Sequence, residues 1–471
     1  MKAKRILFLI TAAIICLSTA NLPAFAQNAG QLRVDFKDTR LKNGLRVITV
    51  EDRSAPVVSL SVTYNVGSRD EQKGRTGFAH FFEHMMFQGS ENVGKSEHFS
   101  LVENVGGIIN GTTNADRTNY FQAVPSNQLE MILFLEADRM RGLEITQENV
   151  DNQRNAVKEE RRQRVDNVAY GKSDEMLDEL MYDNFAYKHS IIGSMEDLSA
   201  ARVEDFAGFF KTYYVPNNAV LTLVGDFDTT AAMRMIRKYF ENIPRGANLP
   251  PAPDMTEPKQ TAERRATVED PLARATRVRI AFKSVPGNTP DFYALQVLAT
   301  TLTSGQSSRL FQKLVREKEL VTNISGAISE RRGVGAFNLT ATMRPGKNAA
   351  DVEAVIYEEI NRLQNESIAD WELQKSKSNS RRNFVFGLQD SLSRAINIGT
   401  YAVYYNDPNL INTRLDRVNA VSADDVRRVA REYLQPTNRS VIVTVPKAGA
   451  PAKPTGAATL TPIRQNEKEV K

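Results

Sequence analysis

Residues 203–224, VEDFAGFFKTYYVPNNAVLTLV, decide the fold, because their plan returns in residues 423–445 as ADDVRRVAREYLQPTNRSVIVTV. Each segment is an amphipathic helical stretch, closed by a proline and followed shortly by an alternating apolar run. At an offset of 220, Asp205 falls on Asp425, Tyr213 on Tyr433, Pro216 on Pro436 and Asn218 on Asn438. An offset shared by helix, breaker and strand implies duplicated domains of about 200 residues each. The expected domains are 27–243 and 272–446. Between them, residues 244–271 read as a linker, since Pro250, Pro251 and Pro253 exclude regular structure.

Around the repeat, strands are grouped with runs of helices. Leu41-Lys42-Asn43-Gly44-Leu45 carries the Asn-Gly turn of a hairpin, and residues 57–66 alternate like a half-buried strand. Helical periodicity runs through residues 127–141, 147–165 and 203–214. These patterns predict an α+β fold of two homologous domains, each a mostly antiparallel sheet packed with helices, and not a doubly wound sheet.

Both chain ends fall outside this plan. Lys2, Lys4 and Arg5 precede an apolar run, Ile6 to Cys16, that is too short for a membrane span, and Ala24-Phe25-Ala26 has the A-x-A form of a cleavage site. Residues 1–26 are therefore expected to be a signal peptide cut after Ala26, which makes the protein periplasmic or secreted with no stable membrane anchor. Residues 447–471 lack an apolar period and are expected to be a disordered tail. The leader takes with it three basic residues and the only cysteine, so the formal charge falls from +5 to +2 and no disulfide is available. With 41% apolar and 25% charged residues, the remainder is an ordinary globular chain that depends on a large core.

The chemistry concentrates in Gly77-Phe78-Ala79-His80-Phe81-Phe82-Glu83-His84-Met85-Met86-Phe87. On a helix, positions i and i+4 share a face, so His80 and His84 can reach one metal ion. Glu83 stands beside them as a candidate general base toward water. The rest of the stretch is almost wholly apolar, and three polar side chains in a buried helix need partners that a metal site supplies. A hydrolytic zinc site takes three protein ligands. His98, at an ordinary helix start, and His189, in a polar loop, read as structural. A carboxylate from a second helix is the better third ligand, and Asn155-Ala156-Val157-Lys158-Glu159-Glu160 offers two. Glu160 shares its stripe with Val150, Gln153 and Val157, a buried-looking face; Glu159 shares one with Asn152, Asn155, Arg162 and Gln163, a solvated face. Glu160 is the expected ligand, for one zinc ion.

His80-x-x-Glu83-His84 is the inverted zinc-protease motif. With its flanks, GSRDEQKGRTGFAHFFEHMMFQGSEN, it resembles the pitrilysin/insulinase metallopeptidase family, in particular the two-domain bacterial branch similar to mitochondrial processing peptidase. The resemblance extends over most of residues 35–445. That family carries its third ligand in an N-A-V-x-x-E type segment about 75 residues beyond the second histidine, which again selects Glu160. It further implies paired domains of similar fold, and an edge strand, here Gly106-Gly107-Ile108-Ile109-Asn110-Gly111, along which a substrate peptide lies. Asn110 and Gly111 are the substrate-binding candidates on that strand, where main-chain pairing demands little of the peptide's sequence.

Two positions depart from the family pattern. Where the family often has a glutamate supporting the site from behind the ligands, this chain has Gln153, which hydrogen-bonds but adds no negative charge. Ser308-Arg309-Leu310-Phe311 through Arg316-Glu317-Lys318 resembles the family's substrate-side arginine segment and nominates Arg316. The tyrosine expected seven residues later is replaced by Asn323, or by Thr322 with one residue deleted. In this branch an active subunit can pair with an inactive partner that supplies both groups, so either a homodimer or such a heterodimer is implied.

Other signals point nowhere. Arg161-Arg162-Gln163-Arg164 is flanked by Glu159, Glu160 and Asp166, so it reads as a solvated helix face and no nucleic-acid partner is expected. Gly305 lacks the Gly-Lys-Ser/Thr that a phosphate loop needs. Tyr404-Tyr405, at a helix end, reads as core. The sequence thus predicts a zinc metalloendopeptidase acting on peptides or unfolded segments. The alternative is a non-catalytic peptide-binding or assembly subunit of the same fold, but such members typically lose a ligand or the base, and all four residues stand here.

Overall fold

Gly44, at φ 93°, supplies the left-handed residue that the first hairpin turn requires. It joins β1 (Lys37–Arg40) to β2 (Arg46–Glu51), and the first sheet grows from there. The computed structural model describes residues 33–447; the expected leader, 1–26, and the expected tail beyond Lys447 lie outside the described residues. The first sheet adds β3 (Val57–Tyr64), β4 (Ile108–Thr113), β5 (Thr118–Pro125) and β6 (Ala219–Gly225), in the order β1-β2-β6-β3-β5-β4. The second contains β7 (Arg264–Asp270), β8 (Arg277–Lys283), β9 (Val321–Ile328), β10 (Ala336–Met343) and β11 (Arg439–Pro446), in the order β7-β11-β8-β10-β9.

The second sheet is the first without β1. In each, one pair is parallel, β2 with β6 and β7 with β11, and the rest are antiparallel. The fold is α+β with two homologous halves. The alternation of β6 and β11 is fully used: both are buried central strands, each preceded by the proline turn seen in the sequence.

The expected linker 244–271 is too long at its C-terminal end. Arg264–Asp270 forms β7, whose residues alternate between exposed and half-buried along the sheet edge. Arg265 and Glu269 on its exposed face, with Arg264 and Asp270 half-buried on the other, disguised it as linker; charge on an edge strand discourages further pairing. The proline-rich part, up to Pro258, has no regular structure.

Helices cover each sheet with an apolar layer, around Leu60, Val62, Leu133 and Phe206 in the first half and Ile280, Leu298, Ile356 and Val429 in the second. Two helices are exchanged. Gly171–Met181 from the first half packs on β7, β8 and β11, whereas Ser391–Tyr405 from the second packs on β3, β5 and β6. The latter lies very close to its sheet at Gly399, where a Cβ would stand 2.7 Å from Thr63 Oγ1. Ser391 and Ser59 hydroxyls hydrogen-bond at 2.8 Å, and Arg394 pairs with Asp52. Among the described residues, no helix is long and apolar enough to cross a membrane.

Candidate metal centre

The Phe78–Met85 helix starts from Gly77 at φ 85°, a left-handed residue that packs against the 190–193 turn. A Cβ on Gly77 would come within 2.5 Å of Ile192 O, so no larger residue fits. Glu71 holds the first turn, accepting from Gly77 N and from Ala79 N, each at 2.8 Å. His189 in turn sits with Nε2 3.0 Å from Glu71 and Nδ1 2.8 Å from Phe185 O. On the apolar side, Phe78, Phe81 and Phe82 pack around Phe206. Burial of each phenylalanine contributes about 1.5–3 kcal/mol, which fixes the helix and leaves His80, Glu83 and His84 to the site.

The second helix, Gln147–Arg161, is capped by Thr146, whose side chain accepts from Asn149 N. Val150 and Val157 are fully buried, and Glu160 lies on their stripe as the sequence periodicity predicts. His84 Nε2 is 3.2 Å from Glu160 Oε2, and His80 Nε2 is 3.6 Å from the same oxygen. One ligand atom from each of the three residues lies within 4.8 Å of the other two. Glu159 instead faces solvent, paired with Arg162 and Gln163. Gln153 Oε1 stands 3.3 Å from His84 Nδ1. Accepting from Nδ1–H there leaves the Nε2 lone pair free toward Glu160's side of the site. Arg164, read from sequence as a solvated charge, pairs with Glu160 Oε1 at 2.5 Å, and Arg161 is drawn inward to Glu175 and Gly193 O.

Two imidazoles and one carboxylate, converging without a fourth protein ligand among the described residues, fit a tetrahedral zinc with one open position. Burial, aided by the neighbouring His84, depresses His80 to about 4, so its ring is neutral and ready to ligate at neutral pH. Burial also works against charge on His84, but the hydrogen bond and charge of Glu160 outweigh it and raise its pKa. The two carboxyls are pushed apart. His84's hydrogen bond holds Glu160 below the usual range, while burial pushes Glu83 above it. Such a split suits one carboxylate to ligate and the other to carry a proton.

Glu83 is fixed by Thr113, which carried no sequence signal, and by Gly111, nominated only for substrate binding. Thr113 Oγ1 donates to its Oε2 at 2.6 Å. A Cβ on Gly111 would lie 3.0 Å from Glu83 Cγ, so the absence of a side chain there gives the carboxylate its room. Gly111 and Asn110 sit on β4, the edge strand, paired on one side only with β5. A cavity of about 410 Å³ opens beside the cluster, lined by His80, Thr113, Glu160, Asp178, Tyr187 and, from the second half, Arg331. Arg316 is elsewhere: exposed on the Phe311–Glu317 helix, it donates to Gln306 and lies over the Phe311 ring.

The halves meet around the β4–β5 turn. Asp116 accepts from Arg69, from the Tyr187 hydroxyl and from Arg332 N. Tyr404 and Tyr405 are not plain core residues. Tyr404 donates to Asn114 at 3.0 Å and Tyr405 to Glu330 at 2.7 Å, so both hydroxyls tie turns near the site.

Family models match this arrangement in two consecutive pieces. One, described as insulinase (peptidase family M16), matches residues 46–194, and another, described as peptidase M16 inactive domain, matches residues 200–380. The chain belongs to the M16, or insulinase/pitrilysin, family. Among M16 relatives, a zinc protease PqqE from Helicobacter pylori is 29% identical over 408 residues, covering 86% of this chain and 92% of that protein. A mitochondrial-processing peptidase subunit beta from Lentinula edodes is 24% identical over 422 residues, covering 84% and 86%. The crystal structure of a protease from Helicobacter pylori aligns with a TM-score of 0.84 at 29% identity, over 88% of this chain and 100% of that one. The first half of the periplasmic protease PqqL from Escherichia coli shares the M16 fold, with a TM-score of 0.71 at 17% identity, over 88% and 93%.

Proposed function

We propose that the chain is a zinc-dependent endopeptidase that hydrolyses peptides or unfolded polypeptide segments. The observation that carries this reading is the convergence of His80, His84 and Glu160, with a half-buried Glu83 beside them under a free strand edge. One zinc ion, when bound, polarises a carbonyl and makes water a stronger nucleophile at neutral pH. Glu83, kept basic by burial and oriented by Thr113, takes the proton of the attacking water and returns it to the leaving amine. A peptide paired along β4 brings its main chain past Gly111, directly against the Glu83 side chain. Gln153 holds the His84 ring by a neutral hydrogen bond, so the site carries one negative charge fewer than a glutamate there would give.

The names of the zinc-protease relatives support this activity, and the leader pattern supports its location in the periplasm or outside the cell. The similarity to a mitochondrial-processing peptidase beta subunit supports pairing with a second copy or with a related inactive subunit. The test is to incubate residues 27–471, with zinc, alongside unfolded and folded proteins, and to sequence the fragments by mass spectrometry. Internal cuts confined to unfolded material, abolished by a chelator, are the expected result. Peptide binding with zinc retained but no cuts, alone or with a partner subunit, leaves the non-catalytic reading standing instead.

A further inference from the structure

The duplication leaves a second cavity where the metal site would recur. At the offset of 220, His80, Glu83 and His84 correspond to Thr300, Thr303 and Ser304. The structure supports that correspondence independently. Thr303 Cγ2 stands 3.0 Å from where a Cβ on Gly326 of β9 would be, as Glu83 Cγ stands 3.0 Å from the same point on Gly111 of β4. The partner helix, Asp370–Phe386, is the counterpart of Gln147–Arg161 and presents Ser380 and Asn383 where the first half presents Glu160. Every ligand and the base have become neutral hydroxyls or amides, yet the space has been kept. The cavity measures about 470 Å³, larger than its counterpart beside the metal cluster.

Its charges are balanced within the lining. Glu330, the one carboxylate in the lining, is gripped by both Arg414 nitrogens at 2.7 and 2.8 Å and by the Tyr405 hydroxyl, so neither charge is left to attract an ion. Gln296, one turn before Thr300 on the same stripe, has a buried Oε1 with no partner among the described residues. Uncharged donors and acceptors at this density complement peptide groups and neutral polar side chains, not phosphates, metals or apolar surfaces. The cavity also adjoins the metal site through two shared turns. Thr113 and Arg331 line the metal side, while their chain neighbours Asn114 and Glu330 line the hydroxyl side.

We propose that this second-half cavity is a peptide-binding subsite that holds an uncharged polar stretch of the substrate remote from the scissile bond. It rests on the peptidase reading for the identity of its ligand, and it gives that reading a substrate preference: segments that combine a cleavable bond with a neutral, hydrogen-bonding flank. A site with no metal ligands and no unpaired charge, lined by hydroxyls and amides beside Phe384, Leu415 and Val418, selects chiefly by hydrogen bonding, which suits unstructured polypeptide.

The test uses the full chain carrying Glu83→Gln, so that binding is read without cleavage. A fluorescent peptide of about twelve residues, up to ~40 Å when extended, is given flanks of Ser, Asn and Gln and titrated by anisotropy; a second peptide has Glu flanks. The neutral peptide is expected to bind about tenfold more tightly, and Ser380→Phe, which fills the cavity, to remove that advantage. Asn383→Leu, at an exposed position, provides a second variant, and unchanged zinc content certifies the fold of both. Equal affinity for the two peptides, or an advantage that survives both substitutions, overturns the proposal. If the advantage depends on Ser380 while the unsubstituted chain cuts neither peptide, the subsite stands and the peptidase reading fails.

Discussion

At Glu83, one hydroxyl and one missing methyl group set the geometry of the proposed base. Glu83→Gln keeps the shape and removes the basicity, so cleavage should fall by about 10²–10⁴ with zinc content unchanged, as read by kcat on a quenched peptide. Gly111→Ala pushes on the same carboxylate from β4, where the new Cβ would stand 3.2 Å from Oε1. It should lower kcat about tenfold or more while leaving the thermal midpoint nearly in place; an unchanged kcat would show that Glu83 is free to move aside. The convergence of His80, His84 and Glu160 was legible because i, i+4 spacing and stripe membership are properties of one helix at a time. Thr113 was not, because its role depends on β4 being laid against the Phe78–Met85 helix, which no local pattern reports.

The Phe78–Met85 helix is positioned from its N-terminus, where Glu71 accepts two backbone N–H groups that would otherwise be buried without partners. Glu71→Ala should cost about 1–3 kcal/mol in urea unfolding, and should loosen zinc binding as the histidines lose their register. A loss of stability without any change in zinc affinity would restrict Glu71 to a scaffold role. Helices and central strands were readable because packing uses their periodicity directly, as Val150, Val157 and Glu160 illustrate. The failures are at edges. Arg264–Asp270 hides a strand behind exposed charge, and Arg161 is drawn inward to Glu175 by a tertiary neighbour, whereas Arg164 stays exposed as the sequence suggests and meets Glu160 one turn away. Tyr404 and Tyr405 look apolar in sequence, but their hydroxyls decide where they bond.

Across the molecule, the halves are bound by an exchange of helices, and one tie titrates. Asp52 is held at about 2, against an ordinary 3.8, by the Ser54 hydrogen bond and then by Arg394 of the exchanged helix. Because the folded pKa is depressed, the stabilisation is complete above pH 3.8 and lost as pH falls toward 2. Asp52→Asn should therefore flatten the acid limb of a thermal-midpoint profile in that window and leave its slope near neutrality unchanged. The duplication itself was legible from four matched residues, but the exchange was not, since neither Gly171–Met181 nor Ser391–Tyr405 reveals which sheet it will cover. On the proposed function, one zinc ion is held by residues brought together from two helices of a single half. Zinc measured per chain in purified protein tests it most directly. One ion per chain is expected in the unsubstituted, Glu159→Ala and Glu83→Gln proteins, and close to none in Glu160→Ala. Zinc that stays with Glu160→Ala but leaves Glu159→Ala would contradict the account.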